Sequence, residues 1–149
     1  MEIKTPSTLR AEHDELHKML KAATQLSGKT GEAAKVVAKL LHPHFVKEEE
    51  YALPPLGLLP MLAEGNISPE MKPVIVMTDK LKSELPEMLS EHRQIEEALQ
   101  ALLKVSKAEN QVEVSSFAKQ LMEHAKMEEV VSYPTAILIG EYLRLKLDA

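Results

Sequence analysis

The chain has 149 residues, 44% of them apolar, and sets 18 Lys and Arg against 23 Asp and Glu for a formal charge of −5. This suits one domain, residues 1–149, with a helical core, because Trp is absent, Phe and Tyr are scarce, and Leu, Ala and Met carry the hydrophobic mass. The acidic balance argues against nucleic acid or an anionic membrane as partner, and the lack of cysteine removes disulfides, thiolate zinc, iron–sulfur clusters and a thiol nucleophile.

The opening residues, Met1 to Pro6, carry Glu2 and Lys4 instead of the apolar run of a secretory signal, and no later stretch approaches membrane-spanning length. The expectation is a cytoplasmic protein with no membrane partner. Thr5-Pro6 has the form of an N-cap followed by a first-turn proline and predicts a helix to about Gly28. A second helix follows Ser27 to Gly31 and runs towards Pro54-Pro55, kinked at Pro43. After a Pro- and Gly-containing connection from Pro54 to Asn66, Ser68-Pro69-Glu70 opens a third helix reaching about Lys107 and interrupted at Pro86. Asn110 with Glu113 resembles a capping box for a fourth helix towards Pro134, and a short fifth helix is expected from Ala136 to Lys146.

Inward positions spaced alternately four and three residues apart define a bundle face. The first helix supplies Leu9, His13, Leu16, Leu20 and Ala23, and the third supplies Met88, His92, Ile95, Leu99 and Leu102. The second supplies Val37, Leu41, His44, Glu48 and Tyr51, and the fourth Phe117, Leu121, His124, Glu128 and Val131. The ladders match in pairs at offsets of 79 and 80 residues, and Glu12-His13 recurs as Glu91-His92. The chain therefore reads as all-α, two copies of one helical hairpin forming an up-down-up-down four-helix bundle with a short C-terminal fifth helix.

Four histidines and two carboxylates on an inward stripe need a partner, because an uncompensated buried charge is prohibitively costly. His44 and Glu48, like His124 and Glu128, are four residues apart, about 40° around the helix and about 6 Å along it, so both members of each pair can reach one ion. Residues equidistant from a hairpin turn lie at one height. On that argument His13 and His44 share one ion, His92 and His124 share another, and Glu48 and Glu128 bridge the two.

The lone His followed by His-x-x-x-Glu-Glu-x-x-x-x-Pro, and then the whole set again, resembles the hemerythrin-like HHE cation-binding family from roughly Leu9 to Pro134. The segment from His42 to Pro54 is its most specific part. The resemblance implies two iron ions in an oxo- or hydroxo-bridged centre held by His13, His44, Glu48, His92, His124 and Glu128, with another divalent metal as the alternative. It also implies a non-enzymatic protein that binds dioxygen or a similar small ligand, or senses oxygen, iron or redox state. Two other readings stay open: a di-iron enzyme of peroxidase, nitric oxide reductase or iron–sulfur repair type, and a structural metal-binding module. Sequence leaves any protein partner undefined.

His17 and its repeat counterpart Glu96 are the further candidates, as a third histidine on one ion and an extra carboxylate on the other. His42 turns about 200° away from His44 and is expected to face solvent or to make a hydrogen bond behind a ligand. Glu49, Glu50 and Glu129 are expected on a solvated face, with Glu49 also placed to bond a ligand imidazole. Tyr51 and Tyr133 stand near the site end of their helices, each able to line a pocket or donate a hydrogen bond, with no redox role assigned.

Overall fold

The computed structural model describes Met1–Asp148. Its helices are α1 (Ser7–Thr24), α2 (Gly28–Lys47), α3 (Leu59–Ala63), α4 (Lys72–Ala108), α5 (Val112–Met127) and α6 (Tyr133–Leu147), and no strand occurs among the described residues. No helix among them is long and apolar enough to cross a membrane.

Two π turns alter the expected boundaries. One, Glu48–Ala52, continues α2; the other, Glu128–Ser132, joins α5 directly to α6. The C-terminal segment, α6, continues the fourth rod through this π turn, with Pro134 in its first turn. Because the π turn adds a residue, the inward face moves on by one: Val131, placed on the ladder by spacing, is exposed, and Ser132 and Tyr133 are buried instead.

Helical order survives both internal prolines. Pro43 and Pro86 sit on exposed faces of α2 and α4, as do Lys39 and Lys82, whose carbonyls each proline leaves unpaired and which water can satisfy. The caps differ from expectation. Pro6, not Thr5, precedes α1, and no side chain caps it. Asn110 adopts a left-handed φ of 58° in the turn before α5, so it makes no capping box. Ser68 does accept a hydrogen bond from the Glu70 N–H, 3.3 Å away, at the start of the third rod.

In the bundle α1 packs against α2 and α5, α4 packs against α2 and α5, and α6 lies along the N-terminal half of α4. Close approach of α6 and α4 requires Gly140, where an added Cβ would stand 1.8 Å from the Thr78 hydroxyl. Two hydrophobic cores result. One gathers Leu16, Leu20, Leu41, Leu99, Phe117 and Leu121; the other gathers Leu53, Met71, Leu81, Met88, Ala136 and Leu143. His92 falls between Met88 of the second core and Ile95 of the first, and the other inward histidines occupy the same junction on their own helices. The polar cluster is therefore sealed by apolar packing on both sides, which lowers its local dielectric and raises the cost of any unpaired charge.

Candidate metal centre

All six ladder residues meet at this junction. His13, His44, Glu48, His92, His124 and Glu128 are each buried, and their ligand atoms fall into two overlapping groups: His44, Glu48, His92 and Glu128 in one, His13, His124 and Glu128 in the other. The histidines pair across the hairpins, not within them as spacing suggested. His13 Nε2 lies 3.1 Å from His124 Nε2, and the rings of His44 and His92 are 4.6 Å apart. Distance from a turn fixes only the height of a residue. Which neighbour its ring faces is decided by rotation of each helix about its own axis, and that rotation follows from packing α1 on α5 and α2 on α4.

Both carboxylates span the two histidine pairs. Glu128 Oε1 lies 3.4 Å from His92 Nε2, and its Oε2 lies 3.4 Å from His13 Nε2 and 3.2 Å from His124 Nε2. Glu48 Oε2 lies 3.6 Å from His44 Nε2, and its Oε1 lies 3.8 Å from His13 Nε2. Each glutamate is the first residue of a π turn, the wider helical turn that recurs at functional sites.

Three imidazoles are oriented from behind by residues that the spacing argument passed over. His44 Nδ1 donates to Glu91 at 2.8 Å, His92 Nδ1 to Glu129 at 3.0 Å, and His124 Nδ1 to Glu12 at 2.6 Å. Lys47 in turn donates to Glu91 at 2.7 Å. A proton held at Nδ1 leaves the Nε2 lone pair facing inward, the tautomer a metal requires. The repeated Glu-His dipeptide was the sequence signal for Glu12 and Glu91. Glu129, expected on a solvated face, was concealed by its angular offset from the ladder, which the Glu128–Ser132 π turn makes a poor guide. Tyr133 also enters the centre, donating to Glu48, whereas Tyr51 donates to Glu84 on α4, away from the cluster.

Charges in the cluster perturb one another strongly. Burial opposes ionisation of His44, but Glu48, Glu91 and Glu128 outweigh it and lift its pKa to about 8; burial opposes ionisation of His124 in the same way, and Glu128, Glu12 and Glu48 outweigh it to bring its pKa to about 9. Burial and the facing Glu128 push Glu48 up to about 7. Burial would raise Glu128 too, yet hydrogen bonds from Glu48 and three imidazoles hold it well below the usual carboxylate range. Glu48 Oε1 is buried without a hydrogen-bond partner. An unpartnered carboxylate oxygen beside converging imidazole nitrogens is what a cation would satisfy, so the residues present fit a metal held by nitrogen and oxygen.

The remaining candidates lie outside this convergence. His17 is exposed on α1, its ring 6.5 Å from that of His42, which is also exposed. Glu96 is exposed on α4 and lines a cavity of about 380 Å³ that also touches His92. Glu49 is exposed and leaves His13 Nδ1 without a partner; the His13 ring instead stacks on Phe45 at 4.3 Å.

A helical bundle with a buried His and carboxylate cluster suited to metal is thus the class that fold and site define. Comparison with family models matches residues 4–136 to the hemerythrin HHE cation-binding domain, and the chain belongs to that family. Comparisons with curated proteins and with solved structures gave no match.

Proposed function

We propose that this chain is a non-enzymatic, cytoplasmic di-iron protein that binds dioxygen or a similar small ligand, its four rods running up-down-up-down. His13 and His124 would hold one iron, His44 and His92 the other, with Glu48 and Glu128 between them. The observation that carries this reading is the orientation of the two glutamates, each turning one oxygen towards each histidine pair. Iron would supply the redox electrons and a coordination position for the ligand. The chain supplies the rest: Glu12, Glu91 and Glu129 fix the imidazoles, and two apolar cores exclude bulk water.

A place for the ligand lies beside His13, His124 and Glu128, in a cavity of about 30 Å³ lined also by Leu9, Leu53 and Ser132. That volume admits a water or a diatomic molecule and little more. An additional carboxylate on one ion would favour the enzyme reading, and Glu96, the candidate for it, is exposed outside the cluster. The test is reconstitution with ferrous iron under nitrogen, metal analysis, then absorption spectra under air and again under nitrogen. Two irons per chain and a reversible spectral change are expected. An irreversible change, or none, overturns reversible ligand binding.

A further inference from the structure

The two halves of the chain match at an offset of 80 residues through the π turns, Glu48–Ala52 against Glu128–Ser132. The next residue is Leu53 in one half and Tyr133 in the other, and the backbone N–H of each donates to the carbonyl of its own half's glutamate, Glu48 or Glu128. The backbone places these two side chains equivalently, but their chemistry differs. Leu53 is buried and lines the 30 Å³ cavity beside His13 and His124. Tyr133 is fully buried at the other histidine pair: its hydroxyl lies 3.1 Å from His44 Nε2, 3.1 Å from His92 Nε2, and donates to Glu48 Oε2.

Space filling alone does not account for this hydroxyl, since a phenyl ring occupies nearly the same volume without burying a polar atom. Its oxygen stands where two imidazole nitrogens and a carboxylate converge, the arrangement expected of another donor. We propose that the Tyr133 oxygen is a seventh protein donor of the centre, completing the position served by His44 and His92, and that Leu53 leaves the His13 and His124 position open to exogenous ligand. This inference rests on the di-iron reading above. On loading, the phenol O–H bond breaks, an oxygen–metal bond forms and the proton leaves to solvent, with no electron transferred.

The wild-type chain is loaded with iron and oxidised, then compared with Tyr133→Phe, Tyr133→Leu and Leu53→Tyr, using azide as the probe of open positions. The wild type is expected to show a visible phenolate-to-iron charge-transfer band with resonance-enhanced tyrosine ring modes, and Tyr133→Phe to lose both while keeping two irons. Azide should bind once per wild-type chain, twice per Tyr133→Leu chain and not at all to Leu53→Tyr. Should wild type carry two irons yet match Tyr133→Phe in spectrum and azide stoichiometry, Tyr133 is no donor and the di-iron centre still stands. A wild-type chain that takes up no iron overturns both readings.

Discussion

Glu129 Oε1 accepts the His92 Nδ1 proton at 3.0 Å, whereas Glu49, its counterpart in the first half, leaves His13 Nδ1 unpartnered. The difference is local to the opposing ring: Phe45 stacks on His13, and the matching position beside His92 is Ala125, which borders open cavity. Glu129→Gln is therefore expected to weaken metal binding about 10- to 100-fold, the usual effect of losing an orienting partner behind a ligand imidazole. Glu49→Gln should leave affinity unchanged. Competition against a chelator of known affinity measures both.

Pairing across hairpins makes a double-mutant prediction that pairing within hairpins reverses. Because His13 faces His124, the variant His13→Ala/His124→Ala should lose one iron and keep the other. On the di-iron reading, His13→Ala/His44→Ala would take one ligand from each ion and should weaken both. His42→Ala, on the exposed side of α2, should bind two irons normally. Metal content per folded chain distinguishes these outcomes.

Protonation stabilises the metal-free cluster, with a sign that can be followed. His44 and His124 have folded-state pKa values of about 8 and about 9, above the ordinary 6.5, so their contribution is complete below pH 6.5 and disappears as pH rises through 8 to 9. Glu48, raised to about 7, acts in the same direction, its contribution present below pH 4.5 and lost as pH rises through 7. Glu128, held low, contributes above pH 4.5 and loses its effect as pH falls below that value. The chelated protein should thus be most stable near pH 5 to 6, with a Tm lower by about 5 °C or more at pH 9. Metal takes over the role of these protons, so the loaded protein should show a flatter profile in the same calorimetric scan.

Far from the centre, Glu109 in the turn between α4 and α5 caps the first turn of α2. Its carboxylate accepts from the Thr30 N–H at 2.8 Å, the Thr30 hydroxyl at 2.5 Å and the Lys29 N–H at 3.2 Å, and Thr30 in turn draws its pKa down. Gly28, with φ of 78°, gives the carboxylate room: a Cβ there would lie 2.7 Å from its Oε2. Glu109→Ala should lower Tm by a few degrees through the unpaired N–H groups of α2, with metal stoichiometry unchanged. A loss of metal alongside the fall in Tm would show that the two hairpin turns also set the height of the histidines.

The ladder of the sequence determined a great deal by itself. Four-three spacing identified the inward face of every rod, and the repeat of His and Glu on those faces named the six buried residues, because helical phase is a local property of consecutive residues. Those same local signals failed at Asn110, whose capping pattern gave way to a left-handed turn, and at Val131, displaced by a π turn that no spacing rule anticipates. Tertiary structure alone decided which histidines pair, since that depends on the rotation of each helix against two neighbours. It also brought Glu12 to His124 and Glu91 to His44 across helix boundaries, and carried Tyr133 from the expected end of a helix into the middle of the cluster. Contacts between separate rods are set by the packing of their whole surfaces, a quantity spread over all four helices and written in no single stretch of chain.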